Sequence, residues 1–201
     1  MKSSVFIILF FIIGFLLGRF SLIPERIARL QIELWILYAL IFFVGIGIGS
    51  NMDALKLVKR MHVKIVLVPV SIIVGTLIGA GLVSMLLSDI SLIQGLAVGS
   101  GFGYYSLSSV IISKLHGETL GLVALISNLI REVITLLFAG VFARYFGKLA
   151  PIACGGATSM DSTLPIITKA CGKEYAIISV FSGMVLTFLV PFLLPLLLSI
   201  G

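Results

Sequence analysis

Apolar runs at about 4–20, 32–50, 64–87, 91–113, 119–142 and 175–199 leave this chain almost no way to fold in water. A helix needs about 20 apolar residues to cross a hydrocarbon core about 30 Å thick. Inside a bilayer every backbone N–H and C=O must be paired within the protein, so runs of this length are helices. The expected fold class is all-α, a polytopic transmembrane helix bundle of about six to seven spans. It is read as one transmembrane transporter domain over 1–201, in which a further segment at about 149–168 either spans or is re-entrant. The stretch from Val5 to Leu17, after Lys2, resembles the core of a signal peptide, but no small-x-small motif follows it. It is read as the first retained helix.

Composition agrees: 60% of residues are hydrophobic and 11% charged, with a mean hydropathy of +1.26. Soluble domains carry about 25% charged residues. The net charge of +6 does not indicate a nucleic-acid partner, because Arg19, Arg26, Arg29, Lys56, Lys59, Arg60 and Lys64 lie between or at the ends of apolar runs. That distribution is a topology signal, and it places the basic loop 53–64 in the cytoplasm. Cys154 and Cys171 lack metal-type spacing and have no histidine nearby, so neither a metal nor a cofactor is expected. An intramembrane enzyme is disfavoured, since no Gly-x-Ser-x-Gly or paired Gly-x-Gly-Asp motif occurs. Close helix contacts are expected at Gly14-x-x-x-Gly18, Gly75-x-x-x-Gly79 and Gly95-x-x-x-Gly99, where glycines four apart share a face.

Two segments are too polar and too rich in glycine for lipid-facing helices. The first, 99–109, contains Ser100, Gly101, Gly103, Tyr104, Tyr105, Ser106 and Ser108. The second, 154–165, contains Gly155, Gly156, Thr158, Ser159, Asp161, Ser162, Thr163 and Pro165. Irregular backbone at membrane depth is tolerated only where protein buries it or a watery cavity meets it. A pair of such interrupted segments is the best sequence pointer to a transporter's binding site. They lie about 55 residues apart, each beside a long apolar helix, although no residue-level repeat is evident.

The run 119–142 carries Asn128, Arg131, Glu132 and Thr135, whose spacing places them on one helix face. A charge at that depth costs about 2.5–3.5 kcal/mol on insertion scales, so it must face a cavity or a partner. Glu132 is the first acid candidate, and Asp161, set among hydroxyls, is expected to be a second buried one. Arg131 reads as a substrate contact or as a structural charge paired with a carboxylate elsewhere. A carboxyl group in low dielectric favours its neutral form and can trade a proton for a cation, the simplest form of antiport. Half-helix N-termini at the interruptions would offer N–H groups to a substrate carboxylate. A cationic amino acid would satisfy both elements.

At these positions the chain resembles the lysine exporter family LysO. The matching stretches are 100–108 (Ser-Gly-Phe-Gly-Tyr-Tyr-Ser-Leu-Ser), 128–132 (Asn-Leu-Ile-Arg-Glu) and 155–165 (Gly-Gly-Ala-Thr-Ser-Met-Asp-Ser-Thr-Leu-Pro). The resemblance implies a secondary active transporter exporting L-lysine across a prokaryotic inner membrane, with protons as the coupling ion. It implies that Glu132 and Asp161 are the proton and cation sites, and that the two polar segments with Asn128 and Arg131 form the substrate cavity. Longer family members carry extra N-terminal helices, which suggests a homo-oligomer or a small membrane partner here. A carrier for another cation, coupled to H+ or Na+, and a non-transporting membrane subunit are the alternatives. Competition by lysine analogues separates the carriers, and activity regained with a partner would mark the subunit.

Overall fold

The computed structural model describes residues 65–200, together with helical positions at Ile13, Leu16, Leu17, Trp35, Ala39, Phe42, Phe43 and Ile46. The chain divides into two compact units, 1–43 and 44–201. The basic loop 53–64 and the Gly14/Gly18 pair lie outside the described residues. All the helices with described boundaries belong to the second unit.

Every element described in 65–200 is helical: α1 (Leu67–Ser84), α2 (Leu92–Gly99), α3 (Tyr105–His116), α4 (Glu118–Tyr145), α5 (Ala150–Gly155), a 3₁₀ turn (Gly156–Met160), α6 (Leu164–Cys171) and α7 (Lys173–Ile200). No strand occurs among the described residues. Three of the helices, α1, α4 and α7, are long and apolar enough to cross a membrane. The remainder are short. Eight residues of α-helix rise about 12 Å, far less than a hydrocarbon core about 30 Å thick. The expected span 91–113 is therefore α2 and α3 with a break between them, and 149–168 is α5, the 3₁₀ turn and α6. This is a membrane helix bundle with two discontinuous helices, as the glycine-rich interruptions imply.

Local chemistry sets the ends. Ser91 caps α2, its hydroxyl accepting the N–H of Gln94 at 3.2 Å while the Gln94 side chain accepts the N–H of Ser91 at 2.9 Å. Gly117 (φ +94°) turns α3 sharply into α4, and Gly172 (φ +107°) turns α6 into α7 in nearly the same conformation. The likeness extends further. From Glu118 to Lys173 and from Tyr145 to Ile200 are both steps of 55 residues, so two 28-residue helices each follow a broken one. The internal repeat is thus plain in the order and length of the elements, though not in the residues.

Packing is strongest between α3 and α4, then between α7 and the 3₁₀ turn, then equally between α1 and α2 and between α4 and α5. Gly95 and Gly99 of α2 lie against Ser84 and Ala80 of α1, where a Cβ on either glycine would collide. That contact is as the spacing of the pair implies. The Gly75/Gly79 pair differs: a Cβ at either position would meet nothing within 4 Å. The pair shares a face, but that face opens on a cavity and on the outside of α1. α4 buries only a stripe, Leu120, Gly121, Ala124, Asn128, Glu132, Thr135 and Ala139. Its other apolar side chains, among them Leu122, Ile126, Ile130, Leu137 and Val141, are exposed, as on a lipid-facing helix.

Candidate functional site

The two breaks meet. The Ala157 N–H, in the 3₁₀ turn, donates to the Phe102 carbonyl in the first break at 2.8 Å. Contact is so close that a Cβ at Gly156 (φ +61°) would run into that same carbonyl oxygen, and one at Gly103 (φ +94°) would lie 2.9 Å from the Gly155 oxygen. Both positions also have a backbone conformation that a side chain disfavours. Phe102 adopts a positive φ of +47° without that excuse, and it is fully buried at the contact. Of the predicted site residues, Gly103, Gly155 and Gly156 are thus where two polypeptide backbones cross, while Gly101 packs against the side chains of Asn128 and Ser108.

α4 supports the crossing with polar side chains. Asn128 accepts the Gly103 N–H at 2.7 Å and donates to the carbonyls of Val98 at 3.1 Å and Ala124 at 2.9 Å. One side chain thereby satisfies an amide inside the break that would otherwise be buried without a partner, and adds a bond to a carbonyl at the end of α2. Arg131 does the same for α5: Nε donates to the Cys154 carbonyl at 2.7 Å and Nη2 to the Ala153 carbonyl at 2.9 Å. Nη2 also lies 3.3 Å from the Thr76 hydroxyl of α1. A cation at a helix C-terminus interacts favourably with the helix dipole. Arg131 is therefore held by carbonyls, and among the described residues no carboxylate pairs with it as the structural alternative required.

The hydroxyls of the breaks are largely engaged with backbone. Ser100 donates to Ala97 O at 2.8 Å, Thr158 to Gly155 O at 2.9 Å and Ser159 to Gly156 O at 2.6 Å. The Ser159 hydroxyl also donates to the Ser179 carbonyl at 3.0 Å, and Ser179 returns a bond to the Ser159 carbonyl at 2.7 Å, fastening the turn to α7. Thr163 faces Thr158 across 3.5 Å, both buried. Ser108 is buried, with a long contact of 3.5 Å to the Tyr105 carbonyl.

Four further polar side chains, Glu132, Tyr104, Tyr105 and Asp161, belong to the same region. Glu132 is only 8% exposed, and its Oε2 is buried without a hydrogen-bond partner. Tyr105, at the start of α3, is within electrostatic reach of both Glu132 and Asp161, and Tyr104 within reach of Asp161. Asp161 itself departs from expectation. It is exposed, not buried, along with Ser106 and Ser162. The chain turns outward at Asp161 (φ −135°, ψ −91°), and its Oδ1 accepts the N–H and hydroxyl of its own neighbour Ser162. That local turn holds the carboxylate on the outer side of the break. Tyr105 alone is within electrostatic reach of both acids, of which Glu132 is buried and Asp161 exposed.

Sequence reasoning passed over Thr76, Ser179 and Ser182. Ser182 Oγ is, like Glu132 Oε2, buried without a partner. Its signal was available: Ser179, Ser182 and Gly183 interrupt an otherwise apolar helix at helical spacing. Thr76 gave none, because only the fold brings α1 to Arg131. Cys171 is buried and Cys154 is half-buried, the latter taking part only through its carbonyl.

Comparison with known proteins bears on the same chain. A Haemophilus influenzae protein, provisionally named a lysine exporter, is 38% identical over 165 residues, covering 81% of this chain and 82% of its own length. The lysine exporter LysO of Escherichia coli is 33% identical over 183 residues, covering 91% of this chain but 60% of its own length. This chain therefore spans about three-fifths of that longer relative. No solved structure gives a significant match. The family model for the lysine exporter LysO matches residues 8–198, nearly the whole sequence. The chain belongs to the lysine exporter LysO family.

Proposed function

We propose that this chain exports L-lysine across a prokaryotic inner membrane, as a multi-pass secondary transporter that exchanges the amino acid for protons. The observation that carries the reading is Glu132: a carboxylate within a candidate membrane helix, buried at the crossing, with an oxygen that no protein group satisfies among the described residues. A buried unpaired charge is costly, so such a group holds a proton or a bound cation. A lysine ammonium and a proton are then alternatives at one site. Asp161 is the outer acid of the pair, with Tyr104, Tyr105, Ser106 and Ser162 between or beside the two carboxylates. An ionised carboxylate cannot face acyl chains cheaply. The exposed side of Asp161 therefore meets water, a second copy of the chain or a small membrane partner, and both compact units serve one transporter domain.

Reconstituted protein tests this. Proteoliposomes loaded with lysine should take up labelled lysine by exchange, with competition from close analogues. Glu132→Gln, which keeps shape and removes titration, should reduce uptake at least about tenfold, and Asp161→Asn should do the same. Full uptake in both variants, with normal folding, would remove these acids from the mechanism.

A further inference from the structure

A cavity of about 300 Å³ opens between α1, α2 and α4, with neither Tyr104 nor Tyr105 in its lining. Its walls are apolar or small: Gly79, Ala80 and Val83 of α1, and Val98 and Gly99 of α2. Its upper end lies at Leu87 and Ile90, beyond the end of α1 at Ser84. Its floor is Thr76, Asn128 and Arg131. Thr76 to Ser84 is about 12 Å of helix, so the cavity runs from the edge of the bundle to the depth of the crossing.

The floor carries an unbalanced charge. The hydrogen bonds of Arg131 engage Nε and Nη2, and none is made to Nη1 among the described residues. Nor does any carboxylate among the described residues pair with the guanidinium. Helix carbonyls supply only a partial negative charge, about half an elementary charge per helix end. A full cation facing a narrow, mostly apolar cavity therefore creates a positive potential at its base. The group that answers it is planar, anionic and able to accept two N–H bonds, which describes a carboxylate. A volume of about 300 Å³ is at the small end of ligand pockets and suits a single amino acid.

We infer that this cavity admits the transported amino acid from the α1–α2 side and that Arg131 Nη1 binds its α-carboxylate. The inference rests on the lysine-export reading and adds where the negative end of the substrate is recognised. Arg131 lines the cavity and Glu132, adjacent on α4, does not, so this cavity recognises the carboxylate end alone. Arg131 bonds groups of α1 and α5, whereas Glu132 is within electrostatic reach of Tyr105 at the start of α3. A diamine of the same length, having no carboxylate, would be rejected.

Two glycines on one helix give the test. A Cβ at Gly79 meets nothing within 4 Å, and the position lines the cavity; Gly75 is equally open but does not line it. Gly79→Leu should fill the cavity and raise the KM for lysine exchange in proteoliposomes about tenfold or more, whereas Gly75→Leu should leave it unchanged. In the unaltered protein, L-lysinamide and cadaverine should compete with lysine at least about tenfold more weakly than unlabelled lysine does. Equal transport by the two leucine variants, or equal competition by lysinamide, would overturn the inference while leaving lysine export intact. No lysine transport by the unaltered protein would instead defeat the underlying reading.

Discussion

Three neighbouring positions on α4 do three different jobs. Asn128 closes the backbone of the first break, Arg131 closes the end of α5, and Glu132 is left with an unsatisfied oxygen. Replacing Asn128 with alanine strands the Gly103 amide in a buried place and removes a second bond from the Val98 carbonyl. A stranded group costs about 1–3 kcal/mol, so Asn128→Ala should clearly lower the apparent melting temperature in detergent. Ser127→Ala, at the exposed neighbouring position, should not. A thermal shift assay on both variants checks this; equal melting would mean that Asn128 is not what holds the break. At this scale the sequence showed which residues are unusual but not what each one does. A charge in an apolar run is legible because insertion is costly. That Asn128 and part of Arg131 hold backbone was hidden, since those partners are carbonyls and amides exposed by the breaks in the helices. Asp161 was misjudged for a related reason. Its exposure depends on one outward turn, and the composition around it says only that the segment is polar.

Among the elements, glycine sorts into positions that must stay bare and positions that need not. Gly156 meets the Phe102 carbonyl and has a positive φ, so Gly156→Ala should separate the two breaks and sharply reduce the yield of folded, monodisperse protein. Gly75→Ala, with nothing near it, should be tolerated, and would gain helix propensity of about 1 kcal/mol. Size-exclusion chromatography of the two variants gives the comparison, and intact folding of Gly156→Ala would contradict the close crossing. The existence of both breaks was legible from glycine, proline and hydroxyl residues set within apolar stretches. Their mutual contact was not, because it joins segments far apart in the chain through backbone atoms, which carry no residue code. The spacing of Gly75 and Gly79 promised a helix contact and delivered an open face, while Gly95 and Gly99, spaced identically, made one. Spacing places two glycines on one face; it does not say what lies opposite. The repeat of 55 residues shows in helix lengths and in the turns at Gly117 and Gly172, where geometry is shared and most side chains are not.

For the whole molecule, the balance of buried and exposed surface fits a bilayer. α4 hides one polar stripe and leaves a broad apolar surface outside, the reverse of a helix in a water-soluble domain. What the described helices enclose is, beside an apolar core, a crossing of polar backbone, with one acid buried near it and one exposed. The class of molecule was legible from hydropathy alone, because the energetic demand of the bilayer overrides local propensity. Lysine export by this route requires that release of a proton from the buried acid and capture of lysine be alternatives. Proton movement during lysine efflux tests that requirement most directly, using a pH-sensitive dye trapped with lysine inside proteoliposomes of the purified chain. Diluting such vesicles into lysine-free buffer should acidify the lumen as lysine leaves, and Glu132→Gln should abolish both fluxes. Lysine efflux by the unaltered protein at full rate, with no change in luminal pH, would contradict proton exchange at Glu132.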